Sequence, residues 1–446
     1  MPADQSYRSF PKPSLAFVLL CLMFVVLWVG GGASRADVFG QVVVRGAAWA
    51  ILVFAAIWAE RPNWRRAPAP IMILFAASLL VSVQLIPLPP NLWEALPNRS
   101  ILTLPAKIAG EAQPWRPIAI VPSAALNAVS SLVVPFTILL LAIGLRKSEE
   151  DWSVGVLLAL VIASTLIGLL QFTGVGFDHP LINDTPGDVN GGFANRNHFA
   201  LFLAIGCLVA PVWALSGGKR WRLPVALGMV LLFVLTILAT GSRAGMLLGV
   251  IALATAVPLA RKRLRRTLHR APRWLWPLVL IGLVSIVGLF VLLSVVADRA
   301  ASIDRAFALD AAQDMRARGL PTVLAMIRAY FPIGAGFGGF DPIFRMFEPF
   351  ELLKPSYFNH AHNDYLEVIL DGGLASGLLL GAALLWWAFA SVRAWRKKAS
   401  VEQLGSAILL LVLVASITDY PARTPMIMAI VALSGVWLSG RWDTAK

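Results

Sequence analysis

Four short polar clusters interrupt a chain that is otherwise strongly apolar, and they hold the side chains best suited to chemistry. Their guanidinium groups can bind an anion, their imidazoles can move a proton near neutral pH, and their amides can hold a hydroxyl or phosphate in place. The topology predicted from hydropathy places all four on one side of a membrane, an agreement that no single motif would supply. The clusters are residues 191–198, 240–245, 314–318 and 359–367.

Arg243 is the most informative cation because it stands alone in a tight turn between two apolar segments. A cation in hydrocarbon costs about 2.5–3.5 kcal/mol at mid-span and less towards the interface. One interpretation is an anchor that reaches lipid headgroups. The other is anion binding, since Ser242 and Arg243 open a predicted helix whose free N–H groups and dipole favour phosphate. Guanidinium adds a bidentate clamp, and we expect this turn to bind a diphosphate.

Further positive charge is expected from Arg196, Arg316 and Arg318. Arg316 and Arg318 would add to the anion site from the loop above it, although a solvated loop face also explains them, Arg318 in particular. Asn195 and Asn197 flank Arg196 at a predicted helix start. These residues are candidate substrate contacts, but asparagine is also a common N-cap.

His362 is the candidate catalytic base, because imidazole accepts protons near neutral pH and could take the proton of a sugar hydroxyl. His360 ranks below it, since a side chain two residues earlier points elsewhere in an extended or turned segment. Asn363 is a further candidate substrate contact. Asp364 and Glu367 have the spacing of a capping box, so we interpret them first as helix-start residues and only second as catalytic acids.

No metal site and no cofactor are predicted. The clusters contain no His-x-x-x-His, no cysteine pair and no Asp-x-Asp, the spacings typical of metal ligands. The glycine-rich run at residues 334–339 follows no strand of a parallel sheet, so we interpret it as a tight turn and not as a nucleotide loop.

Composition indicates a membrane protein. The 446 residues are 58% hydrophobic and 14% charged, against roughly 25% charged in an average soluble domain. The net charge of +14 does not indicate nucleic-acid binding, because the cations form short clusters between apolar blocks, as in cytoplasmic loops. The first apolar block resembles a signal peptide, but the many blocks that follow favour a retained anchor.

The apolar blocks predict an all-α polytopic membrane protein with about twelve transmembrane helices. The predicted spans are 14–32, 38–59, 69–87, 124–144, 153–174, 197–215, 223–240, 244–260, 274–297, 368–390, 404–419 and 424–440. With both termini inside, the cytoplasmic segments hold 23 of the 38 Lys and Arg residues, and the densest cluster, at residues 261–273, is among them. The positive-inside rule therefore predicts an N-in, C-in orientation.

Two long periplasmic segments are expected. Residues 88–123 are Pro-rich and should form an irregular, partly interfacial connection. Residues 298–367 include a helix-like stretch at 322–331, and so long a connection is usually functional. The predicted organisation is 1–123 as an N-terminal region, 124–297 as the central membrane region, 298–367 as the large loop and 368–446 as three C-terminal spans.

At these clusters the chain resembles the O-antigen ligase and polymerase superfamily of bacterial envelope glycosyltransferases. The matching motifs are GFANRN at 192–197, TGSRAG at 240–245, FPIGAGFGGF at 331–340 and HAHNDYLE at 360–367, in the order in which the family carries them. The resemblance covers roughly residues 150–440. It implies a GT-C-like fold in the bacterial inner membrane with a periplasmic active site.

What the resemblance implies is transfer of a glycan from a polyprenyl diphosphate carrier to an acceptor, without a metal. The partners would be the lipid-linked donor, the lipid A–core or another glycan as acceptor, and membrane lipids. By motif position, the family's turn arginine falls on Arg243, its loop arginine on Arg316 and its histidine on His362. The ligase pattern leads from His362 to Gly373 but then has Ser376 where Gly, Thr or Tyr is expected. We expect an inverting O-antigen ligase, with a polymerase as the alternative.

Two rivals differ in acceptor or in class. Protein O-glycosylation would use the same donor with another acceptor. A twelve-helix transporter would place ionisable groups inside its spans near the midplane, whereas the predicted spans carry few charges apart from Arg45. The gathering of polar residues on one face favours an enzyme.

Overall fold

The described part of the chain is mostly helical, with very little strand. The computed structural model describes residues 12–174, 179–183, 185, 187–216, 219, 221–268, 315–353, 358–397 and 400–440. The α-helices are α1 (Leu15–Gly30), α2 (Phe39–Trp58), α3 (Pro68–Val83), α4 (Pro90–Trp93), α5 (Ser100–Ala109), α6 (Pro122–Ser131), α7 (Val133–Ile143), α8 (Lys147–Phe172), α9 (Arg196–Ser216), α10 (Arg222–Ala239), α11 (Arg243–Leu268), α12 (Met315–Tyr330), α13 (Phe340–Phe347), α14 (Asp364–Lys397), α15 (Ser400–Ala415) and α16 (Pro425–Ser439). Short 3₁₀ helices lie at Trp64–Arg66, Phe350–Leu352 and Pro421–Arg423.

Length and composition make this a multi-pass membrane protein. Seven helical segments within the described ranges are long and apolar enough to cross a bilayer: Phe39–Trp58, Pro122–Ile143, Lys147–Phe172, Arg196–Ser216, Arg222–Ala239, Arg243–Ala260 and Asp364–Lys397. Four more predicted spans coincide with shorter apolar helices, namely α1, α3, α15 and α16. The predicted span at 274–297 lies outside the described residues. The count of twelve and the orientation therefore stay predictions.

Helix α9 forms the centre of the bundle. It packs against α8, α10, α11 and α15, and 78% of its most apolar window is buried, compared with 28–50% in the other six candidate spans. A helix that is apolar on every face can be surrounded in this way. Helix α9 begins at Arg196, directly after Asn195. Because other helices surround α9, its first turn lies within the bundle. We call the end of the bundle where α9 begins the site end.

Close contact between α9 and α11 depends on a glycine. A Cβ atom added at Gly245 would lie 2.3 Å from the Cβ of Ala200 and 3.0 Å from Ser242 Oγ. Small residues allow the backbones of neighbouring membrane helices to approach each other. The approach brings the start of α11, with Ser242 as its first flanking residue, against the start of α9.

The Pro-rich segment at 88–123 is more regular than predicted. It contains α4 and α5, and its ends are joined by an antiparallel pair of two-residue strands, Pro87–Leu88 (β1) and Arg116–Pro117 (β2). Arg99 is buried in it and donates to the carbonyl oxygens of Ile118 (2.8 Å) and Gly334 (3.0 Å). The segment is thereby attached to the glycine-rich turn. Most of its prolines lie at helix starts or in the connections, where no N–H group is needed, but Pro105 lies inside α5.

The glycine-rich turn replaces hydrogen bonds that α14 loses at a break. Gly373 interrupts α14 with φ 58° and ψ −141°, a conformation that favours glycine. At this break the Leu374 N–H donates to the Pro332 carbonyl at 2.8 Å, and the Ala335 N–H donates to the Leu370 carbonyl at 2.8 Å. The predicted tight turn is therefore packed directly against the start of α14.

Helices α12 and α13 form a small second core with the beginning of α14. Its buried side chains are Val323, Met326, Tyr330, Phe340, Ile343, Phe344 and Leu370. The predicted helix-like stretch at 322–331 is part of α12, but α12 already begins at Met315. Arg316 and Arg318 consequently lie on the first turns of a helix and not in an irregular loop.

Candidate active site

Asp419 is the buried centre of the polar residues at the site end. It lies in the turn between α15 and α16 and is 3% exposed. Its carboxylate accepts hydrogen bonds from Asn197 Nδ2 at 2.7 Å, from Asn195 Nδ2 at 3.2 Å and from the Tyr420 backbone N–H at 3.0 Å. A buried carboxylate needs such donors to remain charged. Three donors from two distant parts of the chain thus hold one negative charge in place.

Three cationic or titratable side chains surround the same carboxylate. His362 Nδ1 lies 3.4 Å and His198 Nε2 3.7 Å from Asp419 Oδ1, and an Arg316 Nη2 atom lies 3.7 Å from Oδ2. The side chains of Arg316 and His362 are 34% and 19% exposed, whereas that of Asp419 is 4% exposed. The carboxylate therefore lies at the base of the site, with the arginine and the histidine towards solvent.

The charge of Asp419 is stabilised by these neighbours. Burial alone would raise the pKa of its carboxyl group, but the contacts with His198 and His362 and their positive charge when protonated outweigh burial, so that the pKa of Asp419 lies well below its usual value. Asp419 is therefore an anion at neutral pH.

His362 has an unusual backbone conformation. Its φ angle is 49°, in the left-handed region that non-glycine residues seldom adopt and that is found preferentially at functional sites. Its ring centroid lies 5.1 Å from that of Phe358 and 5.0 Å from that of Tyr420. The backbone turn and the two rings together fix the direction of the imidazole.

Tyr420 separates three imidazoles. Its ring centroid is 4.3 Å from His360, 5.0 Å from His362 and 5.3 Å from His198. Burial, followed by the nearby charge of Asp419, raises the pKa of Tyr420 to about 12. The phenol is therefore neutral at physiological pH and acts as a wall of the site.

The turn before α11 is connected to the Asp419 site by hydrogen bonds. Ser242 Oγ donates to Asn197 Oδ1 at 2.7 Å and accepts from the Gly245 N–H at 2.8 Å. Ser242 is therefore the N-cap of α11, a helix that was predicted to begin at this turn. Asn197 donates to Asp419 with its other amide atom. Arg243 is the first residue of α11 and is exposed. Its backbone therefore lies directly next to this chain of contacts.

A second ion cluster, the Arg423 cluster, lies at the other end of the same turn. Arg423 contacts Glu367 Oε1 at 3.2 Å, Asp371 Oδ2 at 3.4 Å and Asp364 Oδ1 at 3.5 Å. Burial would lower the pKa of its guanidinium, but the three carboxylates outweigh burial and raise the pKa of Arg423. His360 Nδ1 lies 2.8 Å from Glu367 Oε1. The acidic side chains at the start of α14 therefore face a structural arginine.

The capping-box interpretation of Asp364 and Glu367 is wrong in detail. Asn363 is the residue that caps α14, because its Oδ1 accepts from the Leu366 N–H at 3.0 Å. Glu367 Oε2 instead accepts from the Ala361 N–H at 2.8 Å. The Asp364 N–H donates to the Ser416 carbonyl at 3.0 Å. The capping box fails because the chain before α14 turns back over its first turn, so that Glu367 meets Ala361.

Of the predicted site residues, the structure brings Asn195, Asn197, Ser242, Arg316 and His362 together around Asp419. Three further predicted residues have contacts elsewhere, and Arg243 begins α11 next to Ser242. Arg196 lies 3.6 Å from Asp188, Arg318 donates to the Glu351 carbonyl at 2.8 Å, and Asn363 Nδ2 donates to the Ile417 carbonyl at 2.9 Å. Asp314 lies outside the described residues, as does the part of the basic cluster at 261–273 that follows Leu268, the last residue of α11.

Sequence reasoning missed Asp419, Tyr420, Arg423 and the role of His198. Asp419 was placed at the end of a predicted span and the following residues in a short loop. The available pattern was Asp-Tyr-Pro-Ala-Arg between two apolar segments, two opposite charges in a connection too short to be a solvated loop. Asp371 was likewise overlooked within the predicted tenth span.

The fold and the site define the class first: a multi-pass membrane protein with a polar site at one end of its helix bundle. Residues 227–381 match the family described as O-antigen ligase, which confirms the resemblance inferred from the motifs. The matched region contains Arg243, Arg316 and His362, and it indicates glycan transfer of the ligase or polymerase type. Asn195, Asn197 and Asp419 lie outside it. A comparison with curated proteins gave no match.

Within the described part of the chain, no group of three or more His, Cys, Asp and Glu side chains has a geometry that could hold a metal ion. Metal-independent transfer stays a prediction that a chelator experiment can test.

Proposed function

We propose that this protein is an O-antigen ligase, which transfers a glycan from a polyprenyl diphosphate carrier to a hydroxyl of lipid A–core on the periplasmic side of the inner membrane. One observation carries the proposal. Asn197, Arg316 and His362, from three distant stretches, meet at the carboxylate of Asp419, and Ser242 from a fourth stretch is joined to them through Asn197. The family match supplies the reaction class.

The cations would bind the leaving group. As the acceptor oxygen bonds to the anomeric carbon, the bond from that carbon to the diphosphate oxygen breaks and negative charge grows on the diphosphate. Arg243 and Arg316 are suited to hold that charge, and the free N–H groups at the start of α11 add to it. Removing one such preorganised donor typically lowers kcat by about 10²–10³-fold.

His362 would accept the proton of the acceptor hydroxyl. In this scheme Asp419 is a positioning residue: it orients the imidazole through its 3.4 Å contact with Nδ1 and stabilises the imidazolium, which later releases its proton to water. Such general-base assistance contributes about 10²–10⁴-fold. Direct displacement inverts the anomeric configuration.

The asparagines would act mainly through Asp419. Asn195 and Asn197 direct their amide groups at the carboxylate, so we assign them to holding the base of the site. Arg196 and Asn363 are proposed as outer substrate contacts, which would require Arg196 to exchange its present partner for the glycan or the diphosphate. For Arg318, the contact with the Glu351 carbonyl favours the alternative of a solvated face.

A polymerase that uses the same donor is the second candidate. Ser376 occupies the position at which the ligase pattern has Gly, Thr or Tyr. Its side chain is buried close to Gly372 at the break in α14, and its Oγ has no hydrogen-bond partner there.

Purified protein can test the transfer itself. The assay supplies a synthetic polyprenyl diphosphate oligosaccharide and lipid A–core, and follows the product by mass spectrometry. We expect His362→Ala and Arg243→Ala to lower the rate by at least about 10²-fold, and Arg318→Ala, the matched control, to retain it. Full activity in either site variant would remove that residue from the mechanism. Loss of activity on adding a chelator would contradict metal-independent transfer.

Gene deletion separates ligase from polymerase. A strain that lacks the ligase should have lipid A–core without O-antigen on a lipopolysaccharide gel. A single repeat unit on the core would instead identify a polymerase, and unchanged polymeric O-antigen would exclude both roles.

A further inference from the structure

Arg45 is a cation inside the candidate span α2 that the proposed transfer does not use. One Nη atom donates to Asn127 Oδ1 on α6 at 2.7 Å, and the other donates to Gln41 Oε1 at 3.1 Å. Gln41 is itself held by its donation to the Ala33 carbonyl at 2.7 Å. The guanidinium is thus fixed between two helices by neutral side chains.

No carboxylate neutralises this guanidinium within the part of the chain that the structure describes, since its described partners are Asn127 and Gln41. Arg45 Nε is buried without a hydrogen-bond partner. Asn127 accepts from Arg45, and its amide NH₂ group makes no hydrogen bond to another described residue. Arginine stays charged in a membrane, and an uncompensated charge there usually marks a functional site.

The position of Arg45 along α2 suits a lipid headgroup. It follows the first residue of α2, Phe39, by six positions, roughly 9 Å along the helix axis. That end of α2 lies at the site end of the bundle, because the Gly40 N–H donates to the Leu181 carbonyl and the Ala194 N–H donates to the Gly32 carbonyl. Arginine side chains extend over such distances towards the interface.

The surroundings of Arg45 are open on one side. On α2, Val44 and Ala48 are buried, whereas Val42 and Trp49 are 63% and 59% exposed, as expected of a lipid-facing surface. At the neighbouring Gly46, a Cβ atom would find no other atom within 4 Å. Arg45 lies at the border between the buried and the exposed side of α2, where an anion could approach from the bilayer.

We propose that Arg45 and Asn127 bind the phosphate group of a membrane lipid in the leaflet at the site end. The Nη hydrogens of Arg45 that Asn127 and Gln41 do not accept and the Asn127 amide would donate to the phosphate oxygens, and the phosphate charge would neutralise the guanidinium. The proposed binding site lies between α2 and α6. The proposal does not depend on whether the protein transfers a glycan.

Native mass spectrometry of the full-length protein in detergent tests the proposal with phosphatidylglycerol as the probe and diacylglycerol, which lacks the phosphate, as the control lipid. We expect phosphatidylglycerol to bind and Arg45→Gln to weaken the tightest binding event by about tenfold or more, the factor expected for losing one charge-assisted hydrogen bond. Arg35→Gln is the matched control, because Arg35 is exposed and already paired with Asp37. It should leave the affinity unchanged.

Equal affinity of the wild type and Arg45→Gln for every phosphate lipid, or equal binding of diacylglycerol, would overturn the proposal. Asn127→Leu, which keeps Arg45, should weaken binding less than Arg45→Gln. This second variant tests the site independently if Arg45→Gln misfolds. A short-chain polyprenyl diphosphate is the second probe. If only this probe depends on Arg45, the phosphate belongs to the diphosphate lipid, whereas dependence of phosphatidylglycerol assigns it to the surrounding bilayer.

Discussion

The turn between α15 and α16 carries two ion clusters of opposite design. At its beginning, one carboxylate, Asp419, is surrounded by two imidazoles, an arginine and two amides, and several of these reach solvent. At its end, one guanidinium, Arg423, is surrounded by three carboxylates, of which Glu367 and Asp371 are 0% and 1% exposed. Asp419 and Arg423 are the first and last residues of a five-residue stretch within this turn.

The difference indicates that the Asp419 site can bind a ligand, whereas the Arg423 cluster supports the structure. The Arg423 cluster joins the turn to the first turns of α14, and its three carboxylates outnumber its one guanidinium. The Asp419 site has an excess of donors around one acid, and its Arg316 and His362 side chains face outward. Because cationic side chains of the Asp419 site are directed towards solvent, this site can accept an anionic ligand. The Arg423 cluster has no cation in excess of its carboxylates.

Replacing Asp419 should have the largest effect on activity. Asp419→Asn keeps the size of the side chain but removes the charge that orients His362 and stabilises its protonated form. We expect transfer to fall by about 10²–10⁴-fold while the protein still folds and inserts. Initial rates and size-exclusion profiles measure the two properties. Wild-type rates in this variant would show that the carboxylate charge does not support the base.

Replacing Arg423 should instead reduce stability. Arg423→Gln leaves buried carboxylates without their cation, and breaking a buried ion pair from one side typically costs about 3–5 kcal/mol. Thermal unfolding in detergent, monitored for wild type, Arg423→Gln and Asp419→Asn, compares the two clusters directly. A larger loss of Tm in Asp419→Asn than in Arg423→Gln would reverse the assignment of site and support.

The two arginines of α12 provide a narrower comparison. Arg316 contacts Asp419, whereas Arg318, two residues later, donates to the Glu351 carbonyl at the surface. Arg316→Ala should lower kcat by about 10²-fold or more if it stabilises the diphosphate, and Arg318→Ala should change it little. Equal effects of both substitutions would indicate a general electrostatic contribution of α12.

The smallest effect concerns acid stability. The pKa of Asp419 is depressed in the folded protein, so its charge contributes stability that is fully present above the unfolded pKa of about 3.9 and is lost as pH falls towards the folded value. The difference in Tm between wild type and Asp419→Asn should therefore become smaller as the pH is lowered from 6 to 3. The other carboxyl groups are present in both proteins and do not contribute to this difference. A constant difference would mean that the charge of Asp419 is not involved.

Local patterns predicted much of the fold and part of the site. Apolar blocks predicted the positions of eleven described helical segments, and Ser242 was expected and found at the start of α11 because capping depends on a few neighbouring residues. The clusters around Asn197, Arg316 and His362 were recognised by residue type and motif.

Asp419 and Arg423 could not be assigned in this way, because their roles depend on long-range packing. The contact partners of residues 419–423 are determined only when α15 and α16 pack beside α9 and the loop before α14. Glu367 illustrates the same limit: its spacing from Asp364 predicted a local cap, but its partners, His360, Ala361 and Arg423, are set by how the chain turns back.

The most direct measurement of the central claim is an experimental structure with a polyprenyl diphosphate bound. The account predicts that the diphosphate lies between Arg243 and Arg316, with the His362 imidazole facing the space where the anomeric carbon of a donor would be. A diphosphate bound away from both arginines, with His362 opening into a separate cavity, would contradict it.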